Sequence, residues 1–393
     1  MTKIDQQKID EILEVGVEEI FDRENLIKKL NSGKQLRIKH GIDPTGPKIH
    51  LGRAFQFWKL KEFQDLGHKI VLIIGDFTAQ IGDASDKQAM RKTLMEKEIK
   101  ENMKDYMKQI GKILDIKKVE LHYNSEWFKK MKIRELLYLS MIFTAQQAIQ
   151  RKNFKERWDE GKPIGLHELS YPLLQGYDSV AVKADVETGG FDQLFNLQTG
   201  REIQRKLGQK PQDIIILKML SGLDGHKMST SQGNIISIVD EPNDMYGKIM
   251  SIGDELIEEY FELTTSFSEN DIEEIKKLHP NPRDKKAILA KEVVKIYYNE
   301  NIAQKAQGEF ERVHKEKEWP LEYKKMEKYR PEVPILELLL DGGLVPSKSE
   351  AKRLILQGAV KINGQDQEDW KKIIKTEKGM RIQVGKRRFL ELI

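Results

Sequence analysis

LRIKHGIDPTGPKIHLGRAFQFWKLKEFQDLGHKIVLIIG, residues 36–75, holds two apolar runs separated by one amphipathic segment. Leu36 to Gly41 reads as a strand. From His50 to Leu66 the apolar residues Leu51, Phe55, Trp58, Leu60 and Phe63 recur at helical spacing, and Gly67 ends the pattern. Lys69 to Gly75 carries the aliphatics Ile70-Val71-Leu72-Ile73-Ile74 without a break, too continuous for a strand with one face in water. Such a run fits a strand covered on both faces, which is the situation in a parallel sheet. Strand, helix and strand in this order predict an open α/β sheet.

The same alternation extends outward. Ala181 to Glu187 and Ile214 to Leu217 read as further short strands, with helical stretches at 97–114, 131–158 and 191–208 between the elements. A mostly helical insertion over about 98–180 is therefore expected within a first domain of residues 1–238. Past Pro242 the spacing turns helical, at 243–263, 268–279 and 283–315, which predicts a helical domain over 239–320. The charged segment from Glu316 to Pro334, with Pro320 and Pro331, reads as a linker. A small α+β domain over 332–393 follows. It begins with a helix around Ile335–Leu340, turns at Asp341-Gly342-Gly343, continues with a helix started by Ser347, and ends in short strands from Ala359.

Composition narrows the classes of function. There are no cysteines, which excludes disulfides, thiol chemistry and Cys-based zinc sites and suits a reducing compartment. No run approaches the roughly eighteen apolar residues of a membrane helix, and Met1 to Glu18 lacks a secretory apolar core. A soluble, cytoplasmic protein is expected. Of the net charge of +4, most lies in the tail: residues 332–393 hold 12 Lys/Arg against 9 Asp/Glu, and the rest of the chain 55 against 54. A basic terminal module is an electrostatic footprint suited to RNA, and equally to a solvated surface.

Three segments carry chemistry. Asp43-Pro44-Thr45-Gly46-Pro47 leads from the first strand to the helix opened at His50, and a helix N-terminus presents unpaired N–H groups and a positive dipole end to a phosphate. Thr45 and His50 can donate to phosphate oxygens, and Gly52 leaves room for a base or ribose against the backbone. Lys227-Met228-Ser229-Thr230-Ser231 lies in a loop of small polar residues, where an ammonium and hydroxyls can neutralise charge on a leaving pyrophosphate. Tyr171, Gln175 and Asp178 fall on one helical face, because offsets of four, three and seven return to the same side.

His50-Leu51-Gly52-Arg53 and Lys227 to Ser231 resemble the "HIGH" and "KMSKS" motifs of class I aminoacyl-tRNA synthetases, whose catalytic domain is Rossmann-like. The similarity is narrower to the bacterial tyrosyl-tRNA synthetases. It extends over Gly41 to Thr45, Gly75 with Ile81-Gly82-Asp83, Tyr123 to Trp127, Tyr171 to Asp178, Gly189 to Asn196 and the tail. The resemblance implies that Thr45, His50, Arg53, Lys227 and Ser231 act in catalysis. ATP would be held by Gly41, Asp43, His50, Gly52, Arg53, Asp192, Gln193, Lys227 and Met228, with Asp192 on the ribose hydroxyls. Asp178 would accept the hydrogen bond of the substrate phenol, with Lys39 near it. Tyr171, Gln175 and Asp83 would surround the α-ammonium of tyrosine, with Thr78 and Asn124 nearby and Gln193 fixing the aminoacyl group.

The same resemblance implies L-tyrosine, ATP carrying Mg²⁺ as a substrate complex, and the tRNA for tyrosine as partners, with no tightly bound cofactor and no metal site of the protein's own. The tail, Val345 to Arg353 followed by Gly358 to Gly364, is similar to an S4 RNA-binding domain, in which Lys348, Lys352 and Arg353 would face RNA phosphates. A homodimer through the insertion is implied too, with Phe128, Met131, Leu136, Leu137 and Met141 as a contact stripe or simply as core. The chain departs from the pattern at Arg53 (usually His), Thr230 (usually Lys), Lys39 (often Tyr) and Phe191 (often small). Tryptophanyl-tRNA synthetases share both phosphate motifs, but the Tyr171 to Asp178 pattern and the tail separate the chain from them. A non-catalytic RNA-binding paralogue would find its support in Arg53 and Thr230.

Overall fold

The computed structural model describes residues 5–83, 94–230, 232–315, 319, 323–385 and 388–393. They divide into two compact units, one of residues 1–240 with 251–289 and the other of 241–250 with 290–393.

In the first unit a six-stranded sheet runs in the order β1-β6-β5-β2-β3-β4. The strands are β1 (Val17–Phe21), β2 (Arg37–Ile42), β3 (Lys69–Ile74), β4 (Glu120–Tyr123), β5 (Val186–Gly190) and β6 (Asp213–Leu217). All pairs are parallel except β1 with β6. Between β2 and β3 runs the helix α1 (Leu51–Asp65), as the opening stretch predicts. It buries Leu51, Phe55, Leu60 and Phe63, while the inward aromatic between them is Phe57 and Trp58 is only half-buried. The five aliphatics of β3 are sealed on both faces. At about 1.5–3 kcal/mol for each fully buried aliphatic side chain, this strand and its neighbours dominate the core.

Several expected elements shift. The strand expected at Ala181–Glu187 lies at Val186–Gly190, because the helix α2 (Leu166–Ala181) continues through Ala181 and the chain then turns at Lys183, whose φ is 51°. The stretch 97–114 breaks into helices Glu96–Met103 and Tyr106–Ile110, and 131–158 into Ile133–Ser140, Ala145–Ile149 and Lys152–Asp159. After β5 a short 3₁₀ turn, Phe191–Gln193, leads into α3 (Leu194–Lys206), which packs along α2.

The second unit holds the helices Pro242–Met250 and Glu300–Lys315, joined by the ring contact of Tyr246 with Phe310 at 5.3 Å. The segment read as a linker contains two short strands, β7 (Lys324–Met326) and β8 (Glu332–Pro334). Beyond them lie helices Ile335–Asp341 and Lys348–Leu356, the latter capped by Ser347 Oγ, which accepts from the Glu350 N–H at 3.2 Å. Strands β9 (Val360–Ile362), β10 (Gln365–Asp366), β12 (Arg381–Val384) and β13 (Arg388–Leu392) join β7 in a five-stranded sheet, and β11 (Ile373–Lys375) pairs with β8. Ile335, Leu338, Leu339, Ile355, Ile382 and Leu390 form the core of this module. Among the described residues no helix is long and apolar enough to cross a membrane.

Candidate active site

The C-terminal ends of β2 and β3 open onto a cleft, the place where an open α/β sheet takes a ligand. Thr45 N–H closes a tight turn onto the Asp43 carbonyl at 2.9 Å, and Gln109 anchors the following loop by accepting from Ile49 N–H and donating to the Pro47 carbonyl, both at 2.8 Å. That delivers His50 to the N-cap of α1 with no side-chain capping bond of its own. The segment after the Lys227 loop is stitched to the same place: Leu51 N–H donates to Ile236 O at 2.9 Å and Ile238 N–H to Ile49 O at 3.0 Å. The start of α1 and the segment that follows the Lys227 loop are therefore joined by main-chain hydrogen bonds.

Gly41, Asp43, Thr45, His50, Gly52 and Arg53 line one wall of the cleft. Thr78, Asp83, Tyr171, Gln175 and Asp178 line another, and Asp192, Gln193, Lys227 and Met228 complete it. Lys39 and Asn124 stand behind the lining. Ser231 lies outside the described residues. Lys348, Lys352 and Arg353 belong to the second unit, exposed on the helix Lys348–Leu356. Lys348 is paired with Glu337 at 2.9 Å, the Lys352 ammonium sits 4.1 Å from the centre of the Trp370 ring, and Arg353 donates to Gln357.

At the start of α1, Arg53 donates to Tyr106 Oη at 2.8 Å, Thr45 Oγ1 at 3.1 Å and the Asp43 carbonyl at 3.2 Å. Burial, reinforced by Arg53 and Lys227, lowers the His50 pKa to about 3. The imidazole is therefore a neutral hydrogen-bonding group, and its buried Nδ1 has no partner among the described residues. Thr230 Oγ1 is buried and unpartnered as well. Its methyl presses on Gly46, where a β-carbon would stand 2.5 Å from it, so only glycine admits the loop there. Lys227 donates to Asp192 Oδ2 at 2.8 Å, and Asn234 organises the loop by accepting from Ser229 N–H and donating to Lys227 O.

At the other end a chain of buried polar groups begins at Asp43, which accepts from Thr78 Oγ1 at 2.8 Å and from Tyr171 Oη at 2.9 Å. Gly75 makes room for it, since a β-carbon there would lie 1.9 Å from Asp43 Oδ1. Asn124 donates to Thr78 Oγ1 at 2.9 Å and to Asp178 Oδ2 at 3.4 Å, while Trp127 Nε1–H donates to Asp178 Oδ1 at 2.9 Å. Asp178 is 4% exposed, and burial, opposed chiefly by Lys39, raises its pKa to about 7. Gln193 donates to Asp83 at 2.7 Å and to Asp192 at 3.1 Å, and Asn196 donates to both Gln193 and Gln175. The cleft thus holds the buried Asp178 carboxyl group at one end and, at the other, the cations Arg53 and Lys227 beside the buried His50 Nδ1 and Thr230 Oγ1, which lack a partner among the described residues.

Sequence reading missed Trp127, Glu187 and Ser179. Trp127 lies within a quoted segment but without a role, and Glu187 had one visible signal, a charge inside a strand otherwise built to be buried.

A family model described as tRNA synthetases class I (W and Y) matches residues 31–315, and one described as a tyrosine–tRNA ligase SYY-like C-terminal domain matches 321–389. The chain belongs to the class I tRNA synthetases of the tryptophan and tyrosine group. Within that group it is similar to proteins named tyrosine–tRNA ligase: that of Carboxydothermus hydrogenoformans at 46% identity, covering 98% of this chain and 97% of the relative, and that of Thermotoga maritima at 44%, covering 100% and 98%. The tyrosyl-tRNA synthetase of Archaeoglobus fulgidus, solved with L-tyrosine, has the same fold, with a TM-score of 0.61 at 24% identity over 78% of this chain and all of that one.

Proposed function

We infer that the chain activates L-tyrosine with ATP to tyrosyl-adenylate and pyrophosphate, then transfers tyrosine to the 3′ end of its tRNA. One observation carries this reading: the buried Asp178 carboxyl group and the side chains of His50 and Lys227 line one cleft. A substrate carboxylate oxygen attacks the α-phosphorus, the bond to the bridging oxygen breaks, and pyrophosphate leaves. A terminal ribose hydroxyl then attacks the acyl carbon, and AMP departs. No protein nucleophile is needed; Thr45, His50, Arg53 and Lys227 align and stabilise charge.

Asp178 takes the phenol, Tyr171, Gln175 and Asp83 take the ammonium, and Asp192 takes the ribose. Mg²⁺ enters with the triphosphate as part of the substrate complex. ATP–pyrophosphate exchange across the twenty amino acids tests the reading. Exchange with tyrosine alone is expected, and no exchange with any of them would favour the non-catalytic paralogue.

Arg53 supplies the cation that Thr230 lacks. Its guanidinium holds Thr45, the neighbour of the Gly46 against which Thr230 packs. Arg53→His is expected to slow adenylate formation about tenfold, the worth of one charge-assisted hydrogen bond. Adding Thr230→Lys should restore most of the loss, and a double variant no faster than Arg53→His refutes the exchange of roles.

The tRNA meets the helices of 239–320 and the 332–393 module through Lys348, Lys352 and Arg353, in the cytoplasm. Two copies pair through the insertion, where Ile133 and Met141 are 80% and 77% exposed and Leu137 lies between them on the same helical stripe. Phe128 is not part of that stripe. It is buried against Phe77 and Tyr177.

A further inference from the structure

Lys39 does not line the cleft, and its destination is unusual for a lysine. It stands in β2 directly opposite Glu187 in β5, and its side chain is wholly buried. Charged groups are rarely buried without a partner, and here every proton of the ammonium has one. Lys39 Nζ donates to Glu187 Oε1 at 2.5 Å, to Ser179 Oγ at 2.9 Å and to the main-chain carbonyl of Gln175 at 3.1 Å. The second oxygen of Glu187 accepts from Ser179 Oγ at 2.9 Å and from Gln212 Nε2. With all three protons engaged, the ammonium keeps no donor for a ligand.

Where those acceptors lie decides what the cation does. Gln175 and Ser179 are one turn apart on α2, and Asp178 lies between them. Both residues of that turn that line the cleft, Gln175 and Asp178, are thereby tied to the central strands of the sheet through an ammonium that lies behind the lining, its partner Glu187 being the half of the pair that reaches the cleft. We propose that the Lys39–Glu187 pair is a clasp that sets the position of this turn of α2, making Lys39 a positioning residue for the choice of tyrosine over phenylalanine. The proposal rests on the reading that Asp178 receives the phenol.

The clasp acts electrically as well as mechanically. Around the Asp178 carboxylate stand Lys39 from β2, Glu187 from β5, Asn124 and Trp127 from the segment after β4, and Tyr171 from its own helix. Burial favours the protonated carboxyl, Lys39 is the strongest influence against it, and Glu187 is a weaker one in its favour. Removing the pair therefore moves ionisation of Asp178 to higher pH. Above that point the carboxylate can accept from a phenol; below it the acceptor is weakened.

The test is ATP–pyrophosphate exchange by Ser179→Ala and by the double variant Lys39→Met/Glu187→Gln, with tyrosine and with phenylalanine, from pH 6 to 9. Ser179→Ala removes the hydroxyl that accepts from Lys39 and donates to Glu187, without adding volume or removing a charge. The double variant removes both charges together, so neither is stranded. The double variant is expected to raise the KM for tyrosine about tenfold and lower the tyrosine-over-phenylalanine ratio by a similar factor, the scale on which a slightly misplaced site loses function. The KM for ATP should stay within about twofold and the acid limb of the tyrosine profile should move to higher pH, neither of which a general loosening of the core produces. Ser179→Ala should move tyrosine KM about threefold in the same direction. Unchanged tyrosine KM, ratio and pH limb in Ser179→Ala overturn the clasp, whether or not the double variant folds. Wild-type protein that exchanges with no amino acid overturns instead the reading beneath it.

Discussion

Asp178→Asn is expected to lower kcat/KM for tyrosine in pyrophosphate exchange by about 100-fold or more, with little change for phenylalanine. The carboxylate is buried, and each of its oxygens already accepts one bond, from Trp127 and from Asn124. It still has lone pairs to offer a phenol. An amide in its place turns one acceptor into a donor, setting it against either Trp127 Nε1–H or the incoming hydroxyl. A hydrogen bond to a charged group contributes about 1.5–3 kcal/mol, and a stranded buried donor adds a further cost of about 1–3 kcal/mol, which together reach the stated factor. Because burial raises the Asp178 pKa to about 7, the ionised acceptor is present above that pH and is lost as pH falls through it. The wild-type KM for tyrosine should therefore climb below about pH 7, and this limb should vanish in Asp178→Asn. A variant within threefold of wild type, or one that retains the limb, would assign phenol recognition elsewhere.

Lys227→Met is expected to reduce the rate of adenylate formation by about 10²–10³-fold while the KM for tyrosine is nearly unchanged. Groups aimed at charge that develops in the transition state contribute on that scale when removed singly. Lys227 is the loop's cation at this end of the cleft, Thr230 supplying only a hydroxyl, and His50 is held neutral by burial. No second ammonium in the described part of the pentapeptide stands ready to replace it. Single-turnover adenylate formation separates this effect from weakened binding. Equal losses in rate and tyrosine affinity would point to a collapsed cleft rather than to a missing charge.

What could be read from sequence follows physical range. The β2, α1, β3 unit was legible because its cues are local: a helical apolar stripe, a glycine stop and five aliphatics in a row. The Tyr171, Gln175, Asp178 face was legible because helical spacing alone puts these residues on one side, and all three do line the cleft. The edge strands were not. β1 contains two glutamates and β4 is half-buried throughout, so each is a strand because a neighbour offers it hydrogen bonds. β5 was misplaced toward Ala181 because its own half, Thr188-Gly189-Gly190, lacks the β-branched aliphatics that mark a strand. Lys39 was expected beside the phenol, and its partner Glu187 is 148 residues away, a pairing that no local pattern encodes.

The contact between Lys227 and Asp192 bears on how the nucleotide arrives. The proposed function gives Asp192 the ribose and Lys227 the phosphates, and the two side chains are paired with each other at 2.8 Å. If the proposed roles hold, ATP has to exchange with this ion pair, its ribose taking up the carboxylate and its phosphates the ammonium.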